Sequence, residues 1–147
     1  MTLVIEDRVK ETAVVTGTAD VALAGAQKGF ATFGAPMADG DTTYFAISDG
    51  QTGDWEIQCN SYSAEQNSLS RAAGAGVGVL SSSNGGALVA FGGHACDVYM
   101  MIPSALIVQL LGLLNGQPSP PAQPGGTVLQ INGDTLVING LILTIGA

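Results

Sequence analysis

The chain has 147 residues and 14.8 kDa, which allows one domain, or one domain with an appendage. Its formal net charge is -8, with a pI near 4.1 and a mean hydropathy of +0.36. No cluster of Lys or Arg exists to neutralise phosphates, so DNA and RNA are excluded as direct ligands. Only 11% of residues are charged, against roughly 25% in an average soluble domain. All four basic residues (Arg8, Lys10, Lys28 and Arg71) lie at or before Arg71, and beyond it only Asp97 and Asp134 carry charge. So weakly charged a half, if exposed in a monomer, would show apolar patches of the kind that mark interfaces. It is therefore expected to be covered by other subunits.

In chain order, the apolar Leu3-Val4-Ile5 and the charged run Glu6 to Glu11 lead into a β-branched strand, Thr12 to Thr16. No cleavable leader is read in Met1 to Lys10. After Gly17, a second strand is expected over Asp20 to Ala24, and a loop over Gly25 to Gly29 leads into Phe30 to Phe33. Pro36, Asp39 and Gly40 then break the chain. Asp39 to Ala72 holds the only Trp and two of the three Tyr. Within it, Thr42 to Ser48 alternates, with Thr43, Phe45 and Ile47 on one side and Tyr44, Ala46 and Ser48 on the other, as in a half-buried strand. Trp55 to Tyr62 reads as its hairpin partner across Asp49 to Asp54, where Gly50 and Gly53 offer positive φ.

Leu69 to Arg71 resumes an extended segment, and Leu80 to Gly86 reads as a turn into a strand from Ala87 to Phe91. A turn at Gly92-Gly93 and a strand from His94 to Ile102 complete an antiparallel β-sandwich or barrel over residues 1–103. Ser104 can cap one short helix, Ala105 to Leu114, stopped by Asn115-Gly116. That helix, in a segment 104–116, is apolar nearly all round, so it is expected to be buried. It is too short to span a bilayer, and no membrane insertion is expected.

Residues 117–126, QPSPPAQPGG, form a semi-rigid proline spacer. The last segment, 127–147, repeats at seven residues: Leu129, Leu136 and Leu143 correspond, as do Ile131, Ile138 and Ile145. Each unit reads as a short strand and a Gly-containing turn. So small a meander cannot stand alone, and three copies could bury these residues in a trimeric β-prism or stem. Leu110 and Leu114 of the helix join the six repeat residues as expected oligomer contacts.

Chemical motifs are sparse. His94 is the only histidine, and nothing in the sequence places it beside Asp97, Cys96 or Ser61. Cys59 and Cys96 make no zinc pattern and read as buried thiols. The pairs Asp54 with Glu56 and Asp39 with Asp41 have strand-period spacing that suits glycosidase chemistry or Ca²⁺, but all four read as solvated loop acids. Trp55, Tyr44 and Tyr62 have the chemistry of a sugar site, with hairpin core packing the simpler reading. No catalytic residue, metal or cofactor is expected.

Several stretches carry a family resemblance. Asp7-Arg8-Val9-Lys10-Glu11-Thr12, Gly17-Thr18, Leu23-Ala24-Gly25-Ala26 and Gly29-Phe30 open it. Gly40-Asp41-Thr42-Thr43-Tyr44, Trp55-Glu56, Leu69-Ser70-Arg71, Ser81-Ser82-Ser83-Asn84-Gly85-Gly86, Asp97-Val98-Tyr99 and Pro103 continue it. Together, over residues 3–103, these resemble a family of tailed-bacteriophage and prophage virion proteins, small structural modules that stand alone or head longer fibre-like proteins. Two stretches depart from that pattern: Ala13-Val14-Val15 stands where threonines are usual, and His94-Ala95-Cys96 where small and basic residues are. The resemblance implies a non-enzymatic virion protein, made in the host cytoplasm and carried on the outer surface of the particle. Its expected partners are itself, as a homotrimer, and other virion proteins of tail or capsid. A fibre or tail-associated module is the first reading and a capsid decoration or head-fibre protein the second. A carbohydrate-binding module that recognises a host-surface glycan is the third.

Overall fold

The computed structural model describes residues 2–72, 77–114, 130–132, 135–138 and 141–144. The chain divides into two units, Met1–Pro103 and Ser104–Ala147.

The first unit is mostly β, a closed barrel of six antiparallel strands. Its strands are β1 (Lys10–Gly17), β2 (Val21–Ala26), β3 (Thr42–Asp49), β4 (Trp55–Ser63), β5 (Ser68–Leu69), β6 (Gly78–Ser82) and β7 (Phe91–Met100). The ring runs β3-β7-β1-β2-β5-β4 and closes through β4 back to β3, while β6 pairs with β4 outside it. Closure gives every ring strand two neighbours and leaves β6 paired on one side only.

The hairpin β3–β4 is the most regular element, paired from Thr42↔Ser61 to Ser48↔Trp55 without a slip. Its alternation follows the sequence: Thr43, Phe45, Ile47 and Asp49 are buried, while Tyr44 and Ser48 are only half-buried on the outer face. At the tip, Asp49 accepts the Gly53 N–H at its carbonyl (2.9 Å), and only Gly53 of the two loop glycines needs positive φ (+80°).

Inside the ring, Val15, Val21, Phe33, Phe45, Ile47, Leu69 and Val98 are nearly or fully shielded from water, with Phe33 and Phe45 edge-to-face at 6.5 Å. Barrel diameter grows with strand number, and the interior of this small ring is filled by side chains.

Phe30 to Phe33 is tied down by the bridge Val9↔Ala31 and by Glu11, whose buried carboxylate accepts the N–H groups of Phe33 (2.7 Å) and Gly25 (3.0 Å). Two segments differ from the sequence expectation. The strand expected over Ala87 to Phe91 lies earlier, as β6, and Ser82 to Ala87 is the turn, with the Ser82 hydroxyl donating to the Ala87 carbonyl (2.6 Å). Gly92 and Gly93 do not turn the chain. They sit in β7 at a bulge opposite Val14 to Thr16, where Gly93 takes φ +82°.

In the second unit, α1 (Ser104–Leu114) is the one helix among the described residues. The expectation that it is buried is corrected: none of its side chains is buried within the chain, Val108 being 62% and Leu114 66% exposed. No helix among the described residues is long and apolar enough to cross a membrane. Strands β8 (Gln130–Asn132), β9 (Thr135–Ile138) and β10 (Leu141–Thr144) form an antiparallel sheet in the order β10-β9-β8. The spacer 117–126 lies outside the described residues.

The interior assignment is tested by truncation. Ile47→Ala is expected to cost about 2–5 kcal/mol in urea unfolding, as for other buried Ile truncations. Val14→Ala, on the outer face, is expected to stay within about 0.5 kcal/mol.

Candidate functional site

Strand β4 turns a polar row inward. Glu56, Gln58 and Asn60 alternate along it, each buried, and their cross-strand partners are Ile47, Phe45 and Thr43. Groups of this kind inside a small barrel must find hydrogen bonds, because an unmet buried polar group is costly. They do so through Arg71, which follows β5 and is 1% exposed. Its Nε and Nη2 donate to the two Glu56 carboxylate oxygens at 2.9 and 2.8 Å, a bidentate ion pair with both side chains fully buried. Nη1 donates to the carbonyls of Gly17 (3.0 Å) and Ala19 (3.1 Å), and Nη2 also to that of Val89 (2.7 Å). The guanidinium lies 5.1 Å from the Phe91 ring centroid.

The carboxylate is equally saturated. Glu56 also accepts the Val89 N–H (2.7 Å) and the Gln58 amide, and Asn60 donates to the Gln58 oxygen (3.0 Å) and the Ala72 carbonyl (2.9 Å). Among the described residues no buried side-chain N or O lacks a partner. A shielded and fully occupied pair offers no group to a substrate. Its work is to join β4, the β1–β2 turn, β5 and the approach to β7.

A second polar centre lies at the hairpin tip. Asp49 is buried; its Oδ1 accepts the N–H groups of Gln51 (2.8 Å) and Thr52 (3.3 Å), and its Oδ2 lies 2.9 Å from His94 Nδ1. The loop N–H of Gln51 first, and His94 next, hold this carboxyl below the usual aspartate range. The β7 bulge brings His94 to this position, with its ring folded over Gly92. The side chains of Cys96, Asp97 and Ser61, which nothing in the sequence places beside His94, are engaged elsewhere. The buried Cys96 thiol donates to the His94 carbonyl (3.5 Å) and is pushed up by burial, Asp97 pairs with Lys10 (2.9 Å) and Gln27, and Ser61 lies on β4.

The acidic pairs are not both loop acids, which corrects the expectation. Glu56 is in the core; Asp54 accepts the Ser83 hydroxyl (3.2 Å), Asp39 the Ala64 N–H (2.9 Å), and Asp41 the N–H groups of Thr2 (2.9 Å) and Ala38 (3.0 Å). No group of three or more His, Cys, Asp or Glu among the described residues is placed to hold a metal ion. The three aromatics do not share a face: Tyr62 points inward with its hydroxyl donating to Asn67 (3.0 Å), whereas Tyr44 and Trp55 are on the outer side.

Of the expected oligomer contacts, Leu110 and Leu114 are 51% and 66% exposed on α1. The register pairs Ile131 with Leu136, Leu136 with Leu143 and Ile138 with Leu141. Leu129 and Ile145 lie outside the described residues. In the sequence Arg71 marks the end of the basic residues and belongs to the Leu69-Ser70-Arg71 stretch of the resemblance, and nothing there pairs it with Glu56. The polar alternation Glu56-Gln58-Asn60 opposite an apolar strand was the signal that could have found its partner. No family model matches the chain, and neither curated proteins nor solved structures give a match.

Glu56→Ala is expected to destabilise by about 3–5 kcal/mol, because Arg71 would be left buried and uncompensated. Joint replacement by Glu56→Leu and Arg71→Met should recover a large part of the loss in chemical unfolding. Acid should act through Asp41, Asp49 and Asp97, all lowered when folded by their N–H and Lys10 partners. Their stabilisation is present above the ordinary aspartate value, about 3.9, and is lost as pH falls through the lower folded values. Asp49→Asn should therefore show a smaller fall in melting temperature between neutral and acid pH than the parent chain.

Proposed function

We propose that this protein is a non-enzymatic structural component of a bacteriophage virion, a homotrimeric surface module associated with the tail or its fibres. The observation that carries the oligomer is α1, whose Ile107, Val108, Leu110, Leu111 and Leu114 are each 45–66% exposed. An isolated helix of this length is marginal in water, and each large apolar side chain fully covered contributes about 1.5–3 kcal/mol. Covering by further copies of the chain gives the helix its stability.

The sheet β8–β10 supports the same reading. Three strands of three or four residues are too short to be stable alone, and their register sets Ile131 opposite Leu136 and Leu136 opposite Leu143, as a repeat closed around a threefold axis by further copies would use. The sequence resemblance over residues 3–103 supports the virion assignment, and its extent matches the unit Met1–Pro103. In this reading the barrel is the rigid head that docks on other virion proteins. The chain is made in the host cytoplasm and carried on the outer surface of the particle.

Truncation after Gln117 is expected to yield a monomer or a weakened oligomer by light scattering, with the barrel still folded by circular dichroism. An unchanged trimer would sink the stem. Quantified gels of purified particles should show a handful of copies, and a number approaching that of the capsid subunits would move the protein to the head.

A further inference from the structure

The named strands of the barrel pair antiparallel, but residues 2–5 form an arm that runs parallel to the start of β3, bridged through Leu3↔Thr42. The arm fills a slot that β7 leaves open. Strand β3 pairs with β7 only from Phe45↔Met100 to Asp49↔Cys96, and the last bond on that side is from the Met101 N–H to the Tyr44 carbonyl (3.0 Å). Without the arm, Thr42 would have β4 on one side and water on the other. With it, the Thr42 N–H donates to the Thr2 carbonyl and the Thr42 carbonyl accepts the Val4 N–H, both at 2.8 Å. The Thr2 N–H in turn donates to Asp41 Oδ1 (2.9 Å).

These bonds go to the arm's backbone, so the arm of any copy can make them. Its side chains are only partly used: Val4 packs against the barrel core, while Leu3 and Ile5 stay 50% and 40% exposed. What ties the arm to its own barrel is the connection through residues 6–8. It is short and strained. The chain turns at Asp7 and Arg8, and Arg8 is held at φ +61°, a conformation that only Asn67 shares among the described non-glycine residues. Straightening this turn releases the strain and costs the slot none of its hydrogen bonds.

We infer that the arm of one copy fills the slot beside Thr42 of the next, each copy giving one arm and receiving one. This deepens the oligomer proposed above and rests on it. Exchange of an identical element keeps the native contacts and changes only the hinge, so a short hinge under strain favours it. Because the arm and the slot are different surfaces, copies joined this way form a ring when the rotation closes. The exposed Leu3 and Ile5 then lie where two barrels meet.

The test uses the full chain with Leu3→Cys and Thr42→Cys, the two positions of the bridge. Copies carrying one change each are unfolded together, refolded as a mixture and oxidised. A reducible species of twice the chain mass is expected on a denaturing gel, absent when either variant is oxidised alone. The doubly substituted chain should oxidise into species of more than one chain mass. Melting curves of each variant establish that the barrel is folded. If no disulfide forms, isotope-filtered NMR of mixed labelled and unlabelled parent copies reads the same contact. Magnetisation transfer from Val4 of one chain to Thr42 of another supports the exchange. An oligomer whose disulfide or transfer stays within single chains overturns the exchange alone. A monomer by light scattering overturns it together with the proposed function.

Discussion

The barrel depends on the buried pair of Arg71 and Glu56. Removing two charges from water is costly, and the pair is tolerable only because every donor and acceptor around it is occupied. Its value is better seen as specification than as net stabilisation. Strand β4 has three partners (β3, β5 and β6), and a slip of one residue would carry Glu56, Gln58 and Asn60 outward and Ile57 and Cys59 inward. Only one register lets Glu56 meet Arg71, which in turn reaches the carbonyls of Gly17, Ala19 and Val89. The ion pair thus decides which of several sheets closes.

Where local pattern and tertiary demand agree, the fold was legible in the sequence. The β3–β4 hairpin follows from alternation and its loop residues, and α1 from a capping serine and an uninterrupted apolar run. Where they disagree, it was not. Gly92-Gly93 has the composition of a turn but serves as a bulge, because β7 must continue past it to pair with both β1 and β3. Glu56 looked like a solvated acid because its partner is 15 residues away and enters from another strand. Burial of the helix, expected from its apolar faces, is not found: none of its side chains is buried. As for sites, the sequence weighed His94 and the acidic pairs without assigning them a catalytic or metal role, and the structure gives Asp49 to His94 and backbone N–H groups to Asp39, Asp41 and Asp49. That exchange depends on the bulge and the loop, which no spacing rule encodes.

The two halves of the chain solve the problem of surface differently. In the barrel, Asp39, Asp41 and Asp49 are satisfied by backbone donors and Glu56 by a buried arginine. From Ser104 to Leu114 there is no charge at all.

The pairing of β1 with β7 has a consequence for how the chain is made. Lys10 and Asp97 meet across 87 residues of sequence, so the first barrel strand has no partner on that side until β7 has been synthesised. Barrels rich in such distant pairings fold slowly compared with helical domains. The apolar helix follows only a few residues after β7, so ring closure and the arrival of the sticky segment nearly coincide on the ribosome. Residues 115–129, 15 in number, separate α1 from β8, so synthesis itself sets an interval between the helix and the last strands.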